Sequence, residues 1–538
     1  MENLQVSFGQ HREVIAGIDF ELDPGECLAL VGESGSGKSV TSRTLAGLTG
    51  TGAQIRARQL RFAGTDLRGL SEREWLQLRG SSIGFVIQDA LGSLDPLRTI
   101  GREIDEPLRL HTPLDREQRS ARVIELLCAV GVPQPEVRAL QFPRQLSGGL
   151  RQRALIASAI ACNPRLLIAD EPTIALDATV QAQVLALLES LRSEDTAMLI
   201  VSHDLAVVSR LAQRVAVMYK GVIVEQGSVE QVLRAPQHAY TKSLLRAGAA
   251  VHFRPSRRPA LLRGARVETE PVVLQARGLS KAFVGPDSVS RTVVDQVSLS
   301  LRRGQTLGIV GESGSGKTTL TRMILGLETP DAGEVLINGH AWATLDDKAR
   351  RQARCNIQVV FQDPLSSFDP RHTVQRGLFE ALQVAGHKPA DCHARAVELL
   401  ALVRLDPAVL PRRPLDLSGG QRQRVAIALA LAPQPQVLVC DEPVSALDVS
   451  VQAQILELLD DLKRHLGLAC LFISHDLGVI NQVSEQVLVM KDGQMVEAGS
   501  VRAVFDAPQH PYTEALLQAI PHLDVEHRSP VEWLGWAV

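Results

Sequence analysis

Two segments of this 538-residue chain, Gly32-Glu33-Ser34-Gly35-Ser36-Gly37-Lys38-Ser39 and Gly311-Glu312-Ser313-Gly314-Ser315-Gly316-Lys317-Thr318, fit the pattern G-x-x-x-x-G-K-[ST]. In that pattern glycines let backbone N–H groups converge on phosphate oxygens, the lysine reaches the terminal phosphates, and the Ser or Thr hydroxyl can hold Mg²⁺. Downstream of each loop an apolar run ends in two acids and a proline, Asp170-Glu171-Pro172 and Asp441-Glu442-Pro443. The aspartate can complete a Mg²⁺ shell, and the glutamate can polarise a water for in-line attack on a γ-phosphate. Further on, Ser202-His203-Asp204 and Ser474-His475-Asp476 offer a histidine suited to sensing or stabilising phosphate charge. A last repeated element, Leu146-Ser147-Gly148-Gly149 and Leu417-Ser418-Gly419-Gly420, leads into Arg-Gln-Arg and a helical pattern. Serine with paired glycines at a helix start is a second anion site. Each copy therefore holds two phosphate-binding elements for one nucleotide. The economical reading places each nucleotide between the loop of one copy and the Ser-Gly-Gly helix of the other.

These residues need a scaffold. Apolar runs at 27–31 and 306–310 precede the loops, and helical patterns at 39–48 and 318–327 follow them, giving the strand, loop and helix that phosphate binding requires. The runs 166–169, 198–201, 437–440 and 470–473 read as buried parallel strands, and 180–191 and 451–462 as helices. Alternating strands and helices predict an α/β layered domain that binds its ligand at the carboxyl ends of the strands. Between residues 97 and 163, and again between 372 and 433, helical signals dominate, so each α/β core is expected to carry an inserted helical subdomain.

The landmarks recur at nearly constant offset: 279 from Lys38 to Lys317, 274 from Gln88 to Gln362, 271 from Ser147 to Ser418 and from Glu171 to Glu442, and 272 from His203 to His475. A tandem duplication explains this, with a first domain at 1–247, a linker at 248–271 holding five arginines and three prolines, a second domain at 272–524 and a tail at 525–538. The linker composition suits a solvated, semi-stiff tether. Hydrophobic residues at 45%, charged residues at 22% and a net charge of −3 indicate an ordered globular protein without a global basic field for nucleic acid. The longer apolar stretches, such as 154–161, fall far short of the ~20 residues of a membrane span, and the N-terminus lacks a signal-peptide plan, so a cytoplasmic protein is expected. Seven isolated cysteines, with no C-x-x-C, indicate neither a disulfide framework nor a metal cluster.

The ordered set of phosphate loop, Gln88, Leu-Ser-Gly-Gly, Asp-Glu-Pro, Ala175-Leu176-Asp177 and His203, with its second copy, resembles the nucleotide-binding domains of ABC transporters over essentially the whole chain. Gln362-Asp-Pro-Leu-Ser-Ser-Phe-Asp-Pro370 and the segments Pro236-Gln-His-Ala-Tyr-Thr241 and Pro508-Gln-His-Pro-Tyr-Thr513 are similar to the ATPases of dipeptide, oligopeptide and nickel importers, here with two ATPase subunits fused. The resemblance implies that Phe8 and Phe283 stack on adenine, although a phenylalanine at such a position can equally be core. It implies that Gln88 and Gln362 lie in loops coupling the nucleotide to a membrane partner and join Ser39, Thr318, Asp170 and Asp441 around Mg²⁺. ATP and Mg²⁺ are then the cofactors. The resemblance implies a peripheral protein at the cytoplasmic face of the inner membrane, partnered by two integral-membrane permease subunits and, indirectly, by an extracytoplasmic solute-binding protein, with no second copy of the chain required for the ATP sites.

Three departures stand out. Val40 replaces the hydroxyl of Thr319 that could reach an α-phosphate, a loss of about 1 kcal/mol for a neutral hydrogen bond. Ile174 and Ala90 stand in the first copy where the second has Ser445 and Pro364. Cysteines that many such importers cluster behind the His-Pro-Tyr-Thr segment are absent, since no cysteine follows Cys470. Two hydrolytic sites with some asymmetry are expected. Two other readings remain: the ATPase of another ABC transporter class, and a non-transport ABC ATPase acting on ribosomes or DNA. The linker holds neither a long charged helix nor zinc-ligand cysteines that would favour the last.

Overall fold

The computed structural model describes residues 1–9, 12–87, 90–173, 176–251, 270–284, 289–445 and 447–520. The chain forms two compact units, one largely within residues 1–250 and one largely within 251–520. Helix Ala239–Val251 carries the first unit into the start of the expected linker, so residues 248–251 are helical and not tether. The remainder of the linker up to residue 269, and the C-terminal tail, lie outside the described residues.

The first unit is organised on a six-stranded sheet in the order Val222–Ser228, Arg214–Tyr219, Cys27–Val31, Ala197–Val201, Leu166–Asp170, Ile83–Val86. All neighbours are parallel except the outermost pair, Arg214–Tyr219 with Val222–Ser228. The central strands are apolar throughout because both faces are covered, and the two-residue period divides them between layers. Leu28 and Leu30 face a cluster with Leu4, Val6, Ile15 and Ile18. Ala29 and Val31 face Leu205, Val208, Leu233 and Leu244 on the opposite side. Leu4 and Ile15 belong to a separate antiparallel sheet, Arg12–Ile18, Leu4–Phe8, Ala53–Arg56. That layer is absent from the sequence reading, because short, largely exposed strands such as Ala53–Arg56 carry little apolar period.

The expected helical insertion is present as Ile100–His111, Arg116–Ala129, Pro135–Ala139 and Gly148–Ala159. Asp115 starts the second of these with a capping box to Gln118. Ile100, Ile104, Leu108, Val123, Leu127 and Ile156 close its core. Each such side chain contributes about 1.5–3 kcal/mol on full burial.

The second unit repeats the plan. Its six strands run Ile357–Val360, Val437–Asp441, Ala469–Ile473, Thr306–Val310, Gln486–Lys491, Gln494–Ser500, again with only the last pair antiparallel. A four-stranded antiparallel sheet, Ser290–Arg302, Val272–Val284, Ala332–Ile337, His340–Ala341, packs Leu274, Val294 and Leu301 against Leu307, Ile309 and Val439. Helices Val374–Val384, Cys392–Leu402 and Gly419–Leu431 form its helical insertion.

Candidate active sites

Strand register brings the chemistry to one edge of each sheet. Leu30 and Asp170 both pair with Val201, so the phosphate loop, the acid pair and the Ser202-His203 turn leave the sheet together. Ile309 and Asp441 share Ile473 in the same way.

Each loop adopts a conformation that only glycine allows at its key points. Gly32 has φ 148° and a Cβ there would lie 2.2 Å from the Met218 carbonyl oxygen; Gly311 has φ 153° and would meet the Met490 oxygen at 2.2 Å. Gly37 and Gly316, at φ 105° and 100°, start the helices Lys38–Leu45 and Lys317–Ile324 with no side-chain cap, which is the arrangement an anion at a helix N-terminus requires. Lys38, 5% exposed, donates from Nζ to the oxygens of Gly32 (2.7 Å) and Glu33 (2.9 Å). Lys317, 7% exposed, does the same with Gly311 (2.7 Å) and Glu312 (2.8 Å). Burial pulls the Lys317 ammonium below the ordinary lysine range, with Glu442 acting in the opposite sense. Ser34, Gly35, Ser313 and Gly314 are exposed at the loop tips, whereas Ser36 and Ser315 are buried beneath them.

Asp170 is fully buried at its strand end. Its two oxygens accept from Ser39 Oγ at 3.1 Å and from Ser42 Oγ at 3.3 Å. Burial raises its carboxyl above the usual range, against the Ser39 hydrogen bond. Ser42 is a site neighbour that the sequence reading passed over; its signal is the three-residue step from Ser39, which puts both hydroxyls on one helix face. In the second unit Thr321 occupies that place and bonds instead to the Lys317 carbonyl at 2.8 Å. Thr318 is exposed there, and no hydrogen bond joins it to Asp441 among the described residues.

Glu171 and Glu442 both hold positive φ, 50° and 48°, a region uncommon for residues other than glycine. Their N–H groups donate to Val201 and Ile473 at 2.8 and 3.0 Å, which fixes the turn. His203 Nδ1 lies 3.3 Å from Glu171 Oε1 and His475 Nδ1 lies 3.2 Å from Glu442 Oε1. Burial acts to raise the Glu442 carboxyl, but the hydrogen bond and charge of His475, with Lys317, prevail and hold it below 4.5. Burial likewise acts to lower His475, and Glu442 prevails to hold it above 6.5.

The sign of the pH effect follows. The His475 part of the pair's stabilisation is fully present below 6.5 and is lost as pH rises through the raised value; the Glu442 part is present above 4.5 and is lost as pH falls through the lowered value. The stability lost on His475→Gln is therefore expected to be greatest between about pH 4.5 and 6.5. Denaturant unfolding of both proteins across the pH range checks this, and a difference that grows steadily into alkaline solution contradicts it.

Ser147 and Ser418 are the N-caps of Gly148–Ala159 and Gly419–Leu431. Gly148 and Gly419 have open surroundings, with no atom nearer than 3.9 and 3.5 Å to an added Cβ, whereas one on Gly149 or Gly420 would strike Val180 at 2.4 Å or Val451 at 2.6 Å. The second glycine thus has a packing role that the sequence did not disclose. Ser418 also forms a capping box with Gln421, at 3.3 and 3.1 Å. Leu150 stands at that place in the first copy and cannot return the second bond, an asymmetry legible in the sequence but overlooked beside the shared Arg-Gln-Arg.

Phe8 is partly buried against the apolar cluster of the first unit, as is Val40. Phe283 is 42% exposed, with Lys281 Nζ 5.5 Å from its ring centre. Thr319 is half-buried and Gln362 is exposed. Gln88 lies outside the described residues.

Two α/β units, each with a phosphate loop, a strand-end acid pair with its histidine, and a serine-capped helix on an inserted helical subdomain, define a tandem ATPase of the ABC class. The family model for the ABC transporter matches residues 15–174 and 294–445, and that for the oligopeptide/dipeptide transporter C-terminal region matches 224–269 and 496–534. The glutathione import ATP-binding proteins GsiA of Shigella dysenteriae and Escherichia coli K12 are each 43% identical over 98% of this chain and 90% of their own length. That of Salmonella typhimurium is 42% identical with the same coverage. Among solved structures, the dimeric MJ0796 cassette, a bacterial ABC transporter cassette, is 28% identical over 42% of this chain and 98% of its own, with a TM-score of 0.39. The chain belongs to the ABC transporter family, as a tandem ATP-binding protein of its oligopeptide/dipeptide importer branch. It binds and hydrolyses ATP to energise an importer of a peptide-like solute.

Proposed function

We propose that the chain drives uptake of glutathione or a similarly short peptide through two ATP sites, one in each unit. Lys38, Ser39, Asp170, Glu171 and His203 carry the chemistry on the first unit's nucleotide, and Ser147, Gly148 and Gly149 give that unit a further anion site at a helix start. Lys317, Thr318, Asp441, Glu442 and His475 do the same on the second unit's nucleotide, and Ser418, Gly419 and Gly420 form its matching helix start. The loops take the β- and γ-phosphates, and Phe8 and Phe283 lie against adenine. The buried carboxylate of Asp170, beside the hydroxyl of Ser39, is the hard oxygen set that suits Mg²⁺. Asp441, Thr318, Gln88 and Gln362 would complete the residues that hold the metal. Mg²⁺ held there would supply charge neutralisation on the phosphates.

The observation that carries this reading is the glutamate and histidine pair at each strand end, 3.3 and 3.2 Å apart. Glu171 and Glu442 orient the attacking water and accept its proton; His203 and His475 hold the glutamate and face the developing phosphate charge.

No helix among the described residues is long and apolar enough to cross a membrane. We take the chain as peripheral to the cytoplasmic face of the inner membrane, with two membrane-spanning permease subunits as partners and a solute-binding protein delivering cargo. Exposed Gln362 and the groove lined by its neighbour Phe361 with Phe368, His372 and Leu429 offer the permease a contact. Reconstitution of the chain with its permease and binding protein in vesicles tests the proposal. Glutathione in the lumen with its binding protein is expected to stimulate ATP hydrolysis several-fold, and stimulation by ribosomes or DNA in its place overturns it.

A further inference from the structure

The Pro-Gln-His-x-Tyr-Thr segments take no part in the chemistry above, yet both units build the same chain of contacts from them to the phosphate loop. Glu225, on strand Val222–Ser228, accepts from the backbone N–H of Gln237 at 2.7 Å and of His238 at 3.0 Å. His238 Nδ1 then accepts from the N–H of Tyr240 at 3.2 Å, and Tyr240 Oη accepts from the N–H of Glu33 at 2.9 Å. The second unit repeats every link: Glu497 with Gln509 (2.9 Å) and His510 (3.2 Å), His510 Nδ1 with Tyr512 (3.1 Å), and Tyr512 Oη with Glu312 (3.0 Å).

The residues that flank these tyrosines differ, which makes the shared hydroxyl contact the informative part. Tyr240 packs on the ring of Tyr219 with centroids 4.2 Å apart, whereas Tyr512 has Lys491 Nζ 4.9 Å from its centroid. Strand register puts Tyr219 and Lys491 at equivalent places, at the ends of Arg214–Tyr219 and Gln486–Lys491. One ring contact is aromatic and the other is cationic, yet the hydroxyl reaches the same amide.

Glu33 and Glu312 are also the residues whose carbonyls receive the loop lysines, at 2.9 and 2.8 Å. Each tyrosine thus fixes one side of a residue whose other side holds the phosphate-binding ammonium. A second brace comes from Gly221 and Gly493, whose N–H groups donate to Ser36 and Ser315 at 3.1 Å. Burial of Tyr512 pushes its phenol up to about 12, so the group stays a neutral hydroxyl at working pH.

We propose that Tyr240 and Tyr512 are positioning residues for the nucleotide, holding each phosphate loop open through Glu33 and Glu312 and tying it to the C-terminal segment of its own unit. The proposal rests on these loops being the ATP sites, and one titration separates the two ideas. Full-length chain and its Tyr240→Phe/Tyr512→Phe variant are titrated with ATP and Mg²⁺, and steady-state hydrolysis is measured on both. Loss of one hydrogen bond per site is expected to raise Kd and KM for ATP about threefold to tenfold, with kcat at saturating ATP within about twofold of the parent. Failure of the parental chain itself to bind ATP overturns the assignment of the loops. Parental binding with unchanged Kd and KM in the variant, whatever its thermal midpoint, overturns the tyrosine proposal alone. Should the variant not fold, amide exchange in the parental chain decides: protected amides at Glu33 and Glu312 are expected, and exchange at the rate of an unstructured amide overturns the proposal.

Discussion

Replacing Glu171 and Glu442 together by glutamine is expected to lower kcat for ATP hydrolysis by about 100-fold to 10,000-fold, the range that a positioned general base supplies. Both side chains are held at the strand end by a backbone bond to Val201 or Ile473 and a contact to His203 or His475, so an amide of the same shape keeps the geometry and removes the basic oxygen. ATP binding should survive, because the loop lysines and N–H groups are untouched. The double variant should therefore accumulate as a long-lived ATP complex, visible as retained nucleotide after gel filtration. A double variant that turns over at near the parental rate removes these acids from the mechanism. The His475→Gln variant examines the same pair from its other side, through the pH dependence of stability.

Lys38→Ala with Lys317→Ala is expected to weaken ATP binding roughly a hundredfold, since hydrogen bonds to charged groups contribute about 1.5–3 kcal/mol each. These ammonium groups are nearly buried and held by two carbonyls apiece, so their rotamers are restricted and little side-chain freedom is lost when they hold phosphate. The fold should tolerate the change better than loss of Gly32 or Gly311, whose added Cβ would meet a carbonyl at 2.2 Å. Equilibrium titration of ATP with circular dichroism as a folding control checks the expectation. Unaltered affinity in the double variant excludes the lysines as phosphate ligands.

The two expectations draw on different sources. That Lys38, Asp170, Glu171 and His203 belong to one chemistry is legible from residue types, since a glycine-rich loop before a helix and paired acids after an apolar run are local patterns. Their meeting at one edge follows from strand order and register, in which Ala197–Val201 lies between the loop strand and the acid strand. The α/β core and both helical insertions were legible for the same reason: long segments of clear period announce their type. The antiparallel sheets were not, because strands such as Ala53–Arg56 are largely exposed and find their partners at a distance.

Within the sites, the sequence left Phe8 open between adenine stacking and core, and the structure places it partly buried on the apolar cluster beside Val40. It assigned Gly149 and Gly420 to phosphate alone, where close approach of Val180 and Val451 gives them a packing duty. It passed over Ser42, and it recorded the tyrosine segments as a family mark without a role.

By itself, then, the sequence determined the duplication, the family and the class of chemistry each motif is suited to, because those depend on side-chain type and short spacing. Tertiary structure alone decided which hydroxyls reach Asp170, how His475 and Glu442 shift one another, and that Tyr240 and Tyr512 reach back some two hundred residues to a loop amide, 207 from Glu33 and 200 from Glu312. Such contacts depend on long-range register and on burial, which raises the cost of an unpaired charge or donor, and neither is written in any local stretch of chain.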